Sequence, residues 1–228
     1  MGARKYEYAA DFETTADPED CRVWAFAICD LSDRDSVIYG HTIDEFMVTC
    51  QALAPCKLYF HTLAFDVCFI FDWLLHNGWE WGDARTPGEG QFTTLISDMN
   101  QVYSTEICLE TGNVIIWDSL KLIPLSVAAE AKAFGLPMSK GEIDYTASRE
   151  VGHVMTEEEA DYITRDVQID AAAIQIMHDE GLSKMTIGAC ALADYRSMVG
   201  SGRRFRKVYP LLTPDEDAFI RKAYRGGW

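Results

Sequence analysis

The stretch that most constrains this fold is a strand-forming run, Tyr6 to Ala10, that ends in Asp11-Phe12-Glu13-Thr14-Thr15. Side chains alternate between the two faces of a strand, so Asp11 and Glu13 point one way and Phe12 the other. Phe12 therefore enters a core, and the opposite face must accommodate two carboxylates at one spot. A solvated strand end satisfies that requirement cheaply. A cation site also satisfies it, provided that further acids arrive from elsewhere in the chain.

The rest of the sequence alternates strand and helix signals. Residues 4–12, 23–30 and 35–40 read as three strands of an antiparallel meander, joined by turns at Asp17-Pro18-Glu19-Asp20 and Ser32-Asp33-Arg34-Asp35. Thr42 is a helix cap, the helix closes near Pro55, and Lys57 to His61 is a short strand expected beside the first. Phe65, Phe69, Ile70, Trp73 and Leu74 recur at helical spacing in a segment ended by Gly78, with Asp66 in its first turn. A Gly- and Pro-rich loop spans 82–90, followed by strand candidates at 92–97, 101–108 and 113–118 and a helix at 124–134. Residues 135–146 read as irregular. Thr156-Glu157-Glu158-Glu159 is a capping box opening a long helix to about Glu180, with Ile163, Val167, Ala171, Ile174 and Met177 on its apolar stripe. A further helix is expected over 183–199, then a Gly-Ser-Gly break, a basic run and a last short helix from Pro214.

Charge and cysteine usage narrow the classes of function. With 36 acids against 20 bases the formal charge is −16, which excludes a protein that coats nucleic acid by bulk attraction. Acids that bind divalent ions invert that local logic, and the bases gather near the C-terminus in Arg203-Arg204-Phe205-Arg206-Lys207 and Arg221-Lys222-Ala223-Tyr224-Arg225. The 7 cysteines are odd in number and never spaced as C-x-x-C, which reads as reduced thiols. No signal-peptide core follows Arg4-Lys5, and no run reaches the roughly 18 apolar residues of a membrane span, so a cytoplasmic protein with no membrane partner is expected.

The missing acids are present. Cleaving a phosphodiester with two divalent ions about 3.5–4 Å apart calls for several carboxylates from separate parts of the chain. Asp11 and Glu13 lie on the first strand, Asp66 at a helix start, and Asp166 on the long helix, one turn after Tyr162. Residues i and i+4 share a helix face, so the Tyr162 hydroxyl and the Asp166 carboxylate can address one water. Asp170, one further turn on, is an alternative ligand.

Together these segments resemble the DEDD-type 3′–5′ exonuclease domain of protein-primed family B DNA polymerases, carried by small linear phages and linear plasmids. Asp11-Phe12-Glu13-Thr14-Thr15 resembles the first exonuclease motif, His61-Thr62-Leu63-Ala64-Phe65-Asp66 the second, and Tyr162-Ile163-Thr164-Arg165-Asp166 the third. Asp118-Ser119-Leu120-Lys121 resembles a single-strand-contacting motif, and Lys140-Gly141-Glu142-Ile143-Asp144-Tyr145 the segment with a catalytic lysine and a DNA-contacting tyrosine. Tyr224-Arg225-Gly226-Gly227 is similar to the Tyr-x-Gly-Gly hinge.

The resemblance implies an α/β, ribonuclease-H-like mixed sheet flanked by helices, with an exonuclease domain over 1–200 and a basic linker and hinge over 201–228. It implies that Asp11, Glu13, Asp66 and Asp166 hold two divalent cations, Mg²⁺ or Mn²⁺. Tyr162 would place the water and Lys140 would offset charge at the phosphate. Thr15, His61, Thr62, Phe65, Phe69, Ser119, Leu120 and Tyr145 would hold a single-stranded DNA 3′ end, and Tyr224, Gly226 and Gly227 primer-template DNA. A terminal protein and a polymerase domain are the implied protein partners, and the host cytoplasm the implied location. Three departures stand out: Thr62 replaces the usual Asn, Asp170 replaces a residue more often apolar, and the palm with its polymerase carboxylates does not follow the hinge. The competing readings are a non-catalytic DNA- or partner-binding module and an RNase-D-like RNA exonuclease.

Overall fold

A computed structural model describes residues 6–83 and 86–223. The chain divides into two compact units between Ile187 and Gly188.

The first unit is built on one mixed sheet. Strands β1 (Tyr6–Thr14), β2 (Val23–Asp30) and β3 (Asp33–Gly40) form the expected antiparallel meander. Helix α1 (Ile43–Leu53) starts where the Thr42 hydroxyl accepts the Glu45 N–H, and strand β4 (Cys56–Phe60) then pairs parallel to β1. After helix α2 (Leu63–His76) come β5 (Glu80–Trp81), β6 (Gln91–Ile96), β7 (Val102–Leu109) and β8 (Gly112–Asp118). Strand β8 pairs parallel to β4, giving the order β3-β2-β1-β4-β8-β7-β6-β5. Helix α3 (Val127–Ala133) and the long helix α4 (Glu157–Asp179) complete the unit. This is the mixed α/β, ribonuclease-H-like arrangement.

The period-two pattern of β1 sorts its side chains as the sequence requires. Tyr8, Ala10 and Phe12 enter the core with Phe46, Met47 and Cys50 of α1 and Leu63, Val67, Ile70 and Leu74 of α2. Phe12 sits edge-on to Phe46 at 4.7 Å and to Phe60 at 5.0 Å. Truncating such a ring to Ala costs about 3–5 kcal/mol. Asp11 and Glu13 face the other way, toward the side of the sheet on which α4 packs against β1, β2 and β3. Ile163, Val167, Ala171 and Ile174 of α4 are buried, and the capping box at its start closes through both hydrogen bonds.

Several boundaries differ from expectation; the short strand β5 is not among the expected strands, and the helix expected from 183 begins at Ile187. The helix expected from 124 starts at Val127, because Asp118 first caps a short 3-10 turn, Ser119–Lys121, and the Ser126 hydroxyl then caps α3 through the Ala129 N–H. In the second unit, helices α5 (Ile187–Met198), α6 (Gly202–Val208) and α7 (Pro214–Ala223) follow one another. The basic run is helical; the Ser201 hydroxyl accepts the Arg204 N–H, and Arg and Lys are good helix formers. Tyr195 of α5 lies against Phe205 and Tyr209, with ring centroids at 6.1 and 5.9 Å, which ties α5 to α6.

Candidate functional site

Three parallel strands deliver the candidate residues to one end of the sheet. The register aligns Ala10 with Phe60, and Phe60 with Asp118. The next residues along, Asp11 within β1 and His61 and Ser119 just past the carboxyl ends of β4 and β8, therefore lie in a row at the end of the sheet where open α/β sheets place their ligands. A cavity of about 210 Å³ opens there, lined by Asp11, His61, Thr62, Lys140, Asp166 and Asp170 among others.

The four acids converge electrostatically. Glu13, Asp66 and Asp166 are buried and Asp11 is half-buried. Burial and then the charge of Asp166 push Asp11 up to about 7. Burial followed by the charges of Asp11 and Asp166 pushes Glu13 up to about 8. Burial followed by Asp11 and Glu13 pushes Asp66 up to about 9. Asp166 is also raised by burial, against the pull of the Lys140 ammonium, whose Nζ lies 2.6 Å from Asp166 Oδ2. Burial pulls Lys140 down, but Asp166 more than offsets this and leaves it raised.

One ammonium cannot neutralise four carboxylates. Asp166 Oδ1 is buried without a hydrogen-bond partner, and the donor set is all oxygen, the chemistry that hard divalent cations take. The residues fit such ions. Among the described residues no three of these acids bring ligand atoms within 4.8 Å of one another; the trio that does so is His61, Glu130 and Asp170.

The other predicted residues divide by exposure. The Tyr162 ring is buried, its hydroxyl shares a 2.5 Å hydrogen bond with that of Tyr145, and burial and this bond raise its pKa. Gly141 passes so close that a Cβ there would lie 3.2 Å from Tyr162 Cδ2. Phe65 is 53% exposed and edge-on to the half-buried Phe69 at 5.5 Å, while Tyr145 is 54% exposed. Leu120 is half-buried, and the Thr15 hydroxyl, which donates to the Asp20 carbonyl and accepts the Arg22 N–H at 3.0 Å, pins its own loop. Ser119 is fully buried, its hydroxyl 3.3 Å from His61 Nδ1 and donating to Asp170 Oδ2 at 3.1 Å, so the side chain is enclosed between His61 and Asp170. Burial holds the His61 pKa below its usual value. Tyr224, Gly226 and Gly227 lie outside the described residues.

Thr62 occupies a left-handed conformation, φ 67° and ψ 46°, which a β-branched residue adopts only under constraint. The constraint is Asp118. Its Oδ1 accepts the N–H groups of Thr62 at 3.2 Å, Leu63 at 3.4 Å and Leu120 at 3.1 Å. Asp118 thereby anchors the start of α2 and so the helix that carries Asp66. Sequence reasoning gave Asp118 no such role, although an Asp at a strand end before Ser-Leu-Lys is a turn-capping signal. It also missed Glu130, which on sequence alone is an acid on a short helix and reads as solvated. A third omission is the network in which Glu159 holds Arg149 Nε at 2.9 Å and His153 Nε2 at 2.7 Å, with Arg149 stacked 4.3 Å over Trp24.

A model of the family described as DNA polymerase type B, organellar and viral, matches residues 52–153 and 147–228. The DNA polymerases of Bacillus phages B103 and phi29 are 41% and 40% identical to this chain over 226 residues, covering 97% of it and 39% of their own length. The DNA polymerase of Streptococcus phage Cp-1 is 30% identical over 230 residues. The solved structure of phi29 DNA polymerase complexed with primer-template DNA and incoming nucleotide substrates matches with a TM-score of 0.91 at 38% identity, covering 99% of this chain and 40% of that one. The same polymerase complexed with single-stranded DNA matches with a TM-score of 0.90. The chain spans about two fifths of the length of these relatives.

Proposed function

Since the chain belongs to the organellar and viral type B DNA polymerases and is homologous to the N-terminal domain of their protein-primed phage members, we propose that it carries the metal-dependent 3′–5′ exonuclease of such a polymerase, acting on single-stranded DNA ends. The observation that carries this reading is the mutual proximity of Asp11 and Glu13 of β1, Asp66 of α2 and Asp166 of α4, each of the first three raised by burial and then by the charge of another, with Lys140 bonded to Asp166.

Asp11, Glu13, Asp66 and Asp166 would hold two divalent cations, Mg²⁺ or Mn²⁺, which when bound supply a nucleophilic water at neutral pH and neutralise the leaving oxygen. The protein's own groups do the rest. Tyr162, fixed by Tyr145 on one side and Gly141 on the other, offers a hydroxyl that orients the attacking water beside Asp166. Lys140 sits where its ammonium offsets charge developing on the phosphate. Phe65 and Tyr145 expose ring faces on which terminal bases can stack, worth about 1–3 kcal/mol per base, with Phe69 supporting Phe65. His61, Thr62 and Leu120 form the rim of the path to the acids, and Ser119 acts through His61.

The exonuclease domain is read as residues 1–200, followed by the basic linker and hinge over 201–228. Primer-template DNA, a terminal protein and the host cytoplasm complete the setting of a protein-primed replication enzyme; among the described residues no helix is long and apolar enough to cross a membrane.

With Mg²⁺ or Mn²⁺, the chain should shorten a 5′-labelled single strand stepwise from its 3′ end, and Asp66→Asn should abolish the ladder while leaving the circular dichroism unchanged. No shortening by the folded parent at any metal concentration overturns the proposal. Matched DNA and RNA strands in one tube decide between DNA trimming and RNA processing.

A further inference from the structure

Helices α3 and α4 meet over a pair of acids that the proposed nuclease chemistry does not use. Glu130 of α3 is fully buried, and neither of its carboxylate oxygens has a hydrogen-bond partner. Asp170 of α4 is 3% exposed; its Oδ2 accepts the Ser119 hydroxyl, and its Oδ1 is likewise unpartnered. His61 Nδ1 lies 3.4 Å from Glu130 Oε1 and 4.0 Å from Asp170 Oδ1. One ligand atom from each of the three falls within 4.8 Å of the other two.

Two ionised carboxylates facing each other out of water are strongly unfavourable without a counter-charge. The nearest fixed cations are engaged elsewhere: Lys140 bonds Asp166, and Lys121 lies 3.5 Å from Asp118 and donates to Gln101. A single proton shared by the pair would satisfy two of the three orphaned oxygens. A metal ion placed among them takes an oxygen from each acid and an imidazole nitrogen as well, and supplies the positive charge that a proton shared between two oxygens cannot extend to the histidine. His61 and Asp170 line the 210 Å³ cavity, which supplies an entry path from solvent.

We propose that His61, Glu130 and Asp170 form a further divalent-cation site beside the four-acid centre, selective for ions of the Mn²⁺ or Zn²⁺ kind. One imidazole and two carboxylates make a mixed nitrogen and oxygen set, which such borderline ions accept more readily than Mg²⁺ does. The ion ties three elements together: α3 through Glu130, α4 through Asp170, and the β4–α2 junction through His61. Ser119, whose hydroxyl donates to Asp170 Oδ2, orients that ligand, the part that outer hydrogen bonds play at metal centres. Its effect on the nuclease would be indirect, through the position of α2 and hence of Asp66.

The test counts ions and does not depend on nuclease activity, so it can fail while the exonuclease reading stands, and the reverse. In the full chain carrying Asp11→Asn and Asp66→Asn, Mn²⁺ bound per chain is measured by electron paramagnetic resonance, with and without Glu130→Gln and Asp170→Asn. The proposal expects the amide pair to lose one bound ion per chain, and added Mn²⁺ to raise the melting temperature only while both acids are present. Equal ion counts with and without the pair overturn it, as does an absence of any bound ion in the Asp11→Asn, Asp66→Asn protein. Circular dichroism checks the fold of each variant; if the amide pair misfolds, Glu130→Leu with Asp170→Leu, which fills the same space without charge, carries the same comparison.

Discussion

Replacing Asp118 tests whether the site is assembled through the start of α2. The carboxylate is 2% exposed, and its Oδ1 is the acceptor for the N–H groups of Thr62, Leu63 and Leu120. Asp118→Ala strands all three donors. Hydrogen bonds to a charged acceptor contribute roughly 1.5–3 kcal/mol each, but these three share one oxygen at 3.1–3.4 Å, so about 1 kcal/mol apiece is the fair value. The Lys121 ammonium at 3.5 Å is partly exposed and adds little. The expected loss is about 3 kcal/mol, or roughly 6–12 °C in melting temperature for a chain of this size. Asp118→Asn keeps an oxygen in place, gives up the charge, and should lose only about 1 kcal/mol. Denaturant melts of the two variants read the difference directly. With the α2 anchor gone, Asp118→Ala should also lose nuclease activity under conditions where it is fully folded, whereas Asp118→Asn should retain most of it. An alanine variant as stable as the asparagine variant, or one with unchanged activity, refutes the idea that Asp118 positions Asp66.

Further outcomes follow from other parts of the molecule. Thr62→Asn should stabilise the protein by about 1 kcal/mol, because Asn tolerates the left-handed conformation that strains Thr; a chemical melt showing no gain removes the strain argument. Glu159→Ala should destabilise by about 3–5 kcal/mol, since it strands buried Arg149 and opens the capping box of α4, and melting curves would show a loss far beyond that of a surface change. The folded-state values of Asp11, Glu13 and Asp66, raised to about 7, 8 and 9, mean that the folded protein binds protons that the unfolded chain releases. The stability they contribute is therefore full below the ordinary carboxylate range and is lost as pH rises through about 7 to 9. Melts of metal-free protein from pH 5 to 9 should show this decline, and saturating Mn²⁺ should reverse it most strongly at the alkaline end.

Much of the architecture is legible in the sequence because local signals and tertiary needs agree there. The alternation in Tyr6–Glu13, the Thr42 cap and the Thr156–Glu159 box each specify a geometry that packing then uses. The acids of β1, α2 and α4 are legible as candidates because carboxylates at a strand end, a helix start and one turn after a tyrosine have a common use. What escapes the sequence is whatever depends on enclosure. Nothing in the sequence marks Glu130 as buried until α3 is laid on α4, or shows that Asp170 and His61 close over Ser119. The basic run at 203–207 shows no helical pattern of its own until Ser201 caps it and Phe205 packs against Tyr195 and Tyr209.

The central claim is that four carboxylates from three elements act as one hydrolytic site. Release of labelled nucleoside 5′-monophosphate from the 3′ end of a single strand, followed in time with Mg²⁺ present, tests it most directly. Prompt release by the parent chain, lost alike in Asp11→Asn, Glu13→Gln, Asp66→Asn and Asp166→Asn proteins that remain folded, is the predicted result. Undiminished release from any one of those four variants contradicts it.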